Sequence, residues 1–200
     1  MKQLNWATLG CGVIANELAH ALSREGRTLY SVANRTHEKA VAFAQKYGIS
    51  KVYDNIDDVF YDPDVDIIYV STPHNTHINY LRKALSNGKH VLCEKSITLN
   101  IAELDEAVSL AKENNVILAE AMTIYHMPVY KKLNEIIASG QLGRLNLIQV
   151  NFGSYKDYNM TLEFTHFLLS AGSSRKHQHK YRHRLNMHQP VLMNRQVFCL

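Results

Sequence analysis

Short apolar runs alternate with segments of helical period through the first 150 residues, and this alternation constrains the fold more than any other feature. It is typical of parallel strands joined by crossover helices. We predict strands at residues 4–9, 29–33, 66–71, 90–93 and 116–119. The run at 66–71 is almost continuously apolar, which indicates a strand buried on both faces. The sequence therefore predicts an α/β fold with a doubly wound parallel sheet.

The helices between these strands are predicted from apolar stripes and from their end signals. Gly48 ends the second helix, Asn100 with Glu103 predicts a capping box, and Pro128 opens the last helix. Alternation at residues 145–152 predicts a further strand, in a second sheet. The predicted stripes are Ile14, Leu18, Ala21 and Leu22; Ala40, Phe43, Ala44 and Tyr47; Ile78, Leu81 and Leu85; Leu104, Ala107, Val108 and Ala111; and Leu133, Ile136 and Ile137.

A glycine turn, Gly-Cys-Gly-Val-Ile-Ala at residues 10–15, joins the first predicted strand to the first predicted helix. The dinucleotide fingerprint occupies this position in Rossmann folds. Gly10 permits the tight turn, and Gly12 lets the backbone approach a pyrophosphate. Val13 and Ile14 open the helix, whose unpaired N–H groups favour an anion. The alternative is a tight turn that is only structural.

The end of the second strand distinguishes the two nicotinamide cofactors. A carboxylate there would bind the ribose 2′-hydroxyl of NAD, whereas an Arg accommodates the 2′-phosphate of NADP. Asn34 and Arg35 occupy this position, and residues 29–36 contain no acid. This favours NADP over NAD. The alternative is that Arg35 is an ordinary exposed loop cation.

A polar segment at residues 71–77 follows the strand at 66–71, at the edge where open parallel sheets bind ligands. We predict that Thr72, Pro73, Asn75 and His77 line a cofactor cleft. The alternative is that the segment only caps the next helix and exposes its histidines. Because no carboxylate or cysteine cluster accompanies those histidines, we predict no metal site.

Glu94 and Lys95 lie at the carboxyl end of the strand at 90–93. A Lys at such a position can hold a substrate hydroxyl or carbonyl while a hydride moves to or from nicotinamide. Its ammonium would stabilise a developing alkoxide and exchange a proton with it. The alternative is a surface ion pair.

Together these motifs resemble the Gfo/Idh/MocA family of NAD(P)-dependent oxidoreductases over about residues 3–160. The resemblance is carried in order by residues 10–15, 34–36, 71–73 with 77, 88–95 and 120–122. It implies a Rossmann domain at 1–122 that binds NADP (or NAD), then the start of an α/β domain at 123–160. The subgroup it resembles, the dihydrodiol dehydrogenase-like members, uses NADP and oxidises cyclic diols or sugars.

The resemblance also implies roles for individual residues. Lys95 is the catalytic residue, and Glu94 helps to position the cofactor and Lys95. Ser96 stands where the family has Pro. Tyr125 stands where many relatives have Arg, near the nicotinamide side. The expected function is hydride transfer between nicotinamide and a hydroxyl or carbonyl carbon of a sugar, cyclic diol or related polyol. The alternative is a truncated nucleotide-binding protein without catalytic activity.

The chain changes character after residue 160. Residues 161–200 hold six of the 22 basic residues, one of the 18 acidic residues and five of the 11 histidines. The family's continuation is absent there, so we expect an incomplete second domain followed by an atypical basic tail. A reading-frame change and a genuine alternative tail are both hypotheses for it. Without aromatic interleaving, we expect no nucleic-acid partner.

Location and association are expected from simpler features. Three widely spaced cysteines argue against a disulfide framework, and no apolar run is long enough to span a membrane. The first residues lack a secretion signal, so we expect a cytoplasmic protein. Because an incomplete second domain leaves apolar faces uncovered, we also expect self-association.

Overall fold

A computed structural model describes residues 3–144 and 146 of the chain. Its centre is a six-stranded parallel sheet in the order β3-β2-β1-β4-β5-β6. This confirms the predicted α/β class and doubly wound Rossmann sheet. The strands are β1 (Trp6–Leu9), β2 (Ser31–Ala33), β3 (Lys51–Val52), β4 (Ile67–Val70), β5 (His90–Cys93) and β6 (Leu118–Glu120).

Each predicted apolar stripe lies on a helix, and two 3₁₀ turns, at His74–Thr76 and Thr123–His126, supplement the α-helices. The chain divides into two compact units, with a boundary between Leu133 and Asn134. In the part of the chain that the structure describes, no helix is long and apolar enough to cross a membrane. Apart from residue 146, the predicted strand at 145–152 lies outside the described residues. The helices are α1 (Val13–Arg24), α2 (His37–Tyr47), α3 (Asp58–Tyr61), α4 (His77–Ser86), α5 (Ile101–Glu113) and α6 (Pro128–Ala138).

Two hydrophobic clusters hold the helices to the sheet. One packs α1 and α2 against β2, and the other packs α4 and α5 against β4 and β5. Because right-handed crossovers lead in opposite directions from β1, the two clusters cover opposite faces of the sheet. The strand order therefore reverses beside β1, which is where open sheets of this kind form a ligand crevice.

The predicted buried face of α1 was wrong at two positions. Ile14 is 46% exposed and Ala21 is exposed, whereas Ala15, Ala19 and Leu22 are buried. A helix that leaves a glycine turn packs closely on the sheet, and close packing needs small side chains. The large Ile14 therefore faces outward, although the apolar period of the sequence placed it on one face with Leu18 and Leu22.

The predicted helix ends are confirmed with one difference in detail. Gly48 closes α2 with φ +66°, a left-handed conformation that glycine adopts without steric cost. The Asn100 side chain caps α5 by accepting from the Glu103 N–H at 3.0 Å. The Glu103 carboxylate accepts from the Leu99 N–H at 3.1 Å rather than from the capping residue itself.

A buried polar cluster, which we call the amino-edge cluster, lies where the strands begin and is centred on Asp62. The Asp62 carboxylate accepts from Lys51 at 2.6 Å, from the Tyr53 hydroxyl at 2.5 Å and from the Asp64 N–H at 2.9 Å. Burial raises the pKa of Asp62, but the hydrogen bonds from Lys51 and Tyr53 outweigh it and hold this pKa below its usual range. The carboxylate is fully paired within the chain.

Lys89 completes the amino-edge cluster just before β5. Its side chain donates to the carbonyl oxygen of Asp62 at 2.5 Å and to that of Val65 at 2.9 Å. Burial lowers the pKa of Lys89, and the nearby carboxylates oppose the shift. The side chain thus ties the loop before β4 to the start of β5.

Candidate cofactor-binding site

A cleft of about 430 Å³ opens at the carboxyl edge of the sheet, where β1, β2 and β4 end. Three loops line it: residues 10–12 after β1, residues 34–36 after β2 and residues 71–73 after β4. Lys39, Ile56, Thr76 and Tyr80 complete the lining. The cleft therefore combines the three loops that sequence analysis selected separately.

Gly10 makes the turn out of β1 and tolerates no side chain. Its φ is +103°, and a Cβ built there would lie 2.9 Å from Ser71 Oγ and 3.0 Å from the Ser71 carbonyl oxygen. Its N–H donates to the Ala33 carbonyl oxygen at 2.8 Å. Gly10 therefore joins the ends of three neighbouring strands in a space that only glycine fits.

Gly12 leaves the start of α1 open. It precedes the helix with φ −75°, and nothing lies within 4 Å of a Cβ placed on it. It has no side chain to cap α1, and no acidic residue lies in the first turn. The Val13 and Ile14 side chains are exposed, and neither residue is among those that line the cleft. The first-turn N–H groups suit an anion.

Two cations line the same cleft beyond the end of β2. Arg35 and Lys39 are exposed, and the Asn34 side chain braces their loop by donating to the Thr36 carbonyl oxygen at 2.9 Å. Burial raises the pKa of the Cys11 thiol, and the charge of Lys39 opposes that rise. Lys39 therefore lies within electrostatic reach of the glycine turn.

Lys39 is a cleft residue that sequence reasoning missed. Arg35 lies in the loop after β2, and Lys39 lies in the first turn of α2, which begins at His37. The signal in the sequence is therefore only that a second cation follows shortly after Arg35 at the start of the next predicted helix.

Thr72 and Pro73 line the wall of the cleft after β4, as predicted for the polar segment. Asn75 is exposed in the 3₁₀ turn and lies outside the lining, while Thr76 takes part in it. The Thr76 hydroxyl oxygen lies 2.6 Å from the Pro73 carbonyl oxygen and 2.8 Å from the Thr72 hydroxyl oxygen. Thr76 precedes α4 without a side-chain capping bond, so its hydroxyl braces the wall instead.

His77 lies behind this wall rather than in the cleft. Its side chain is fully buried. Its Nε2 lies 2.8 Å from the Thr72 carbonyl oxygen, and its Nδ1 lies 3.0 Å from the Ser96 carbonyl oxygen. The ring therefore bridges two loops, and the sequence-level alternative of an exposed histidine does not describe it.

Glu94 and Lys95 follow β5 and do not line the cleft. The half-buried Glu94 accepts from the Tyr69 hydroxyl at 2.5 Å. Burial and the Glu94 carboxylate raise the pKa of Tyr69, so Tyr69 remains a donor. Lys95 is exposed, and it makes no hydrogen bond or ion pair with any residue in 3–144 or 146. The peptide bond between Lys95 and Ser96 is cis.

The described residues contain no group of three or more His, Cys, Asp or Glu side chains that would hold a metal ion. The ring of His74 contacts that of His77 edge-on, with centroids 5.5 Å apart. These two histidines thus pack against each other at the start of α4.

Comparisons with known proteins match the part of the chain that forms the parallel sheet. Residues 4–122 match the family model GFO_IDH_MocA, described as an oxidoreductase family with an NAD-binding Rossmann fold. Similar proteins include trans-1,2-dihydrobenzene-1,2-diol dehydrogenase of Xenopus tropicalis, 34% identical over 151 residues. That of Mus musculus is 34% identical over 153 residues. These alignments cover 74% and 75% of this chain and 46% of each relative, so the chain spans about half of their length.

Solved structures agree with the sequence comparisons. An NAD-binding oxidoreductase from Klebsiella pneumoniae is 27% identical with a TM-score of 0.65, over 70% of this chain and 40% of that protein. KijD10, a 3-ketoreductase from Actinomadura kijaniata solved with NADP and TDP-benzene, is 26% identical with a TM-score of 0.65. That match covers 70% of this chain and 43% of that protein. The chain belongs to the Gfo/Idh/MocA oxidoreductase family and carries its NAD-binding Rossmann fold.

Proposed function

We propose that this chain binds NADP(H) in the cleft at the carboxyl edge and acts as an oxidoreductase that transfers a hydride to or from the nicotinamide. The observation that carries the proposal is one cleft lined by two cations, Arg35 and Lys39, and by an uncapped helix start at Gly12. A dinucleotide with a 2′-phosphate presents anions at both places. The site therefore matches the charge of the ligand at two separate points.

The glycine turn would hold the pyrophosphate. Gly12 offers open space in which a pyrophosphate can approach the backbone, and the first turn of α1 offers N–H groups and the positive end of a helix dipole. Gly10 keeps this turn close to Ser71, which lines the opposite wall. These residues bind and orient the phosphates, and they play no part in proton transfer.

Arg35 and Lys39 would select the phosphorylated cofactor. A guanidinium forms paired hydrogen bonds with phosphate oxygens, and a nearby ammonium adds a second positive charge. Asn34 stands where a carboxylate would bind the free 2′-hydroxyl of NAD, and an amide does not repel phosphate. We therefore propose a preference for NADP(H) over NAD(H).

Lys95 would handle the proton of the reacting alcohol. The nicotinamide, when bound, supplies or accepts the hydride. The Lys95 ammonium would bind the substrate oxygen, stabilise an alkoxide and exchange a proton with it at Nζ. Exposure of Lys95 and the absence of a partner for it within the described residues support this role, because the side chain is available. Glu94, held by Tyr69, would help to orient the loop.

The proposed substrates are sugars, cyclic diols or related polyols. Relatives named for trans-1,2-dihydrobenzene-1,2-diol oxidation and a neighbour named as a 3-ketoreductase support a hydroxyl or carbonyl carbon as the reacting centre. The alternative is a nucleotide-binding protein without turnover.

Fluorescence titration tests the cofactor proposal. Wild-type chain should bind NADPH more tightly than NADH, and Arg35→Ala should weaken NADPH binding about tenfold or more, since a charge-assisted pair contributes about 1.5–3 kcal/mol. NADH affinity should change little. Arg24→Ala, at the exposed end of α1, is the matched control. Equal affinity for both cofactors, or an equal loss of both in Arg35→Ala, would refute the proposed preference.

Turnover assays separate the enzyme from the binding protein. A panel of sugars and cyclic diols with NADP should give NADPH absorbance with wild-type chain, and Lys95→Met should remove it without changing NADPH affinity more than about twofold. Tight cofactor binding with no turnover on any substrate would establish the alternative function.

We also propose that the chain self-associates. Ile124, Met127 and Val129 are large apolar residues with exposed fractions of 47%, 48% and 69%. These residues lie within six positions of one another in the chain, and large exposed apolar side chains that cluster favour association. Light scattering should show a species larger than one chain, and a monodisperse monomer would contradict this.

A further inference from the structure

The loop that carries Lys95 is fixed on both sides by side chains from three separate elements. Before Lys95, Glu94 accepts from Tyr69 of β4. After it, the Ile97 N–H donates to the Glu120 carboxylate of β6 at 2.9 Å, and the Ser96 carbonyl oxygen faces His77 of α4 at 3.0 Å. The backbone is anchored on either side of Lys95, and the Lys95 side chain is left exposed.

His77 differs from the other two anchors because it has a second contact. Its Nε2 lies 2.8 Å from the carbonyl oxygen of Thr72, which lines the cleft. Each contact is a hydrogen bond when that ring nitrogen carries a proton; a neutral ring makes one of the two at a time, and an imidazolium makes both. The ring therefore spans the wall of the cleft and the Lys95 loop, and it touches neither the cleft nor Lys95.

Burial makes this bridge specific. His77 is 0% exposed, so water does not replace a lost ring contact, and a carbonyl left unpaired there would be costly. The ring is also packed edge-on against His74, which restricts its rotation. The buried ring of His77 therefore lies in contact with both loops at once.

We propose that His77 is a positioning residue that sets the placement of Lys95 relative to the Thr72 wall of the cofactor cleft. The proposal rests on the proposed function, because the role of Lys95 is assigned there. Its physical reason is that reacting groups must be held close to their productive geometry, and supporting side chains provide that constraint. His77 acts through Thr72 and Ser96 and does not contact cofactor.

Hydrogen exchange of the full chain tests the bridge without any activity assay. In His77→Phe, amides of residues 94–98 should exchange about fivefold faster or more, relative to the amides of α5, because one net hydrogen bond is worth about that factor. The amide nitrogen of Gln in His77→Gln can still donate to one of the two carbonyl oxygens, so this variant should restore part of the protection. His90→Gln is the matched control, since His90 accepts from the Ile117 N–H at the other end of β5. Equal acceleration in residues 94–98 and α5 would overturn the proposal.

A ligand that lacks nicotinamide tests the coupling between the two loops. The 2′-phosphate derivative of ADP-ribose contains every anionic group of NADP(H). It lacks the nicotinamide ring, which could otherwise cover Lys95 directly. Its binding should slow exchange at residues 94–98 in wild-type chain, and His77→Phe should abolish that effect while still binding the ligand. Protection that persists in His77→Phe, or no protection in wild-type chain, would overturn the proposed role.

Two outcomes separate this proposal from the proposed function. Failure of wild-type chain to bind NADPH would refute the cofactor proposal, and the ligand-free exchange comparison would still decide the role of His77. If His77→Phe does not fold, hydrogen exchange of His77→Gln, measured at residues 94–98 and in α5 beside that of His90→Gln, decides the role of His77. Acceleration confined to residues 94–98 supports the bridge, and uniform acceleration rejects it.

Discussion

The two edges of the sheet use polar side chains in opposite ways. At the amino edge, Asp62 and Lys89 are buried and every contact described for them is to another part of the same chain. At the carboxyl edge, Arg35, Lys39 and Lys95 are exposed, and the first two line a cleft. Charged side chains therefore pair within the chain at the amino edge and remain exposed at the carboxyl edge.

This difference teaches how to recognise a site in a parallel sheet. A buried charge that is fully paired contributes to folding, and its loss leaves a partner unsatisfied. An exposed charge beside an open backbone contributes little to folding and is free to meet a ligand. We therefore expect substitutions at the amino edge to change stability and substitutions at the carboxyl edge to change binding.

We expect the largest effect at Gly10, where a substitution should change both stability and cofactor binding. Gly10→Ala adds a Cβ at φ +103° and only 2.9 Å from Ser71 Oγ, so the turn must move. We expect a loss of about 3 kcal/mol or more in the free energy of unfolding and a loss of NADPH affinity of about a hundredfold. Urea unfolding and fluorescence titration measure the two quantities.

Gly12→Ala is the matched control for Gly10→Ala. Nothing lies within 4 Å of its added Cβ, and its φ of −75° suits alanine. Stability should change by less than about 1 kcal/mol, while the methyl group should obstruct the pyrophosphate and reduce NADPH affinity about tenfold or more. Equal destabilisation by the two substitutions would remove the distinction between a structural and a binding glycine.

The next largest effect belongs to the amino edge. Asp62→Asn removes the charge that pairs with Lys51 and alters the hydrogen bond from Tyr53. We expect a loss of about 2–3 kcal/mol in the free energy of unfolding, with NADPH affinity unchanged in the remaining folded protein. Asp57→Asn, which breaks an exposed ion pair with Lys83, should cost less than about 1 kcal/mol. A comparable loss of cofactor affinity in Asp62→Asn would contradict the separation of the edges.

Acid should remove the contribution of Asp62. The folded pKa of this carboxyl lies below its usual value of about 3.9. The stabilisation is therefore fully present above that usual value and is lost as pH falls through the folded pKa. The difference in unfolding free energy between wild type and Asp62→Asn should therefore be constant from about pH 8 to about pH 5 and shrink below about pH 4. A difference that grows in acid would reverse the assigned direction.

The smallest expected effect sharpens the comparison at the carboxyl edge. Asn100 lies on that side of the sheet but is used for structure, because its side chain caps α5. Asn100→Ala should cost about 1 kcal/mol, and Asn100→Asp should cost much less because Asp also caps helices. Neither should alter NADPH affinity, and a large effect on affinity would show that the cap also shapes the cleft.

Much of the fold could be predicted from periodicity, because the long helices and buried strands have strong apolar patterns. β3 and α3 could not, since two and four residues are too short to show a period. The predicted face of α1 was wrong at Ile14 and Ala21, because an apolar stripe shows which residues share a face and not which of them fit closely against the sheet. Close helix packing instead buried Ala15 and Ala19 and left Ile14 outside.

The site was predicted best where backbone conformation determines it. The glycine turn and the loop at Arg35 line the cleft, because strand ends bring them together in any doubly wound sheet. The bridge made by His77 and the donor at Tyr69 could not be predicted, since each depends on contacts across loops distant in sequence. Sequence patterns indicate which polar residues occur near an edge, but not which of them face inward.

The strand order has a consequence for how the chain folds. β1 pairs with β4 through residues 61 positions apart, whereas every other strand pair joins residues less than half as far apart in the chain. Closing the longest segment has the largest entropic cost, so we expect the two halves of the sheet to form first and to join last. The cleft is lined by the loops after β1 and β4, so it is complete only when these two strands have paired. Gain of NADPH fluorescence during refolding should therefore trail the gain of helical circular dichroism.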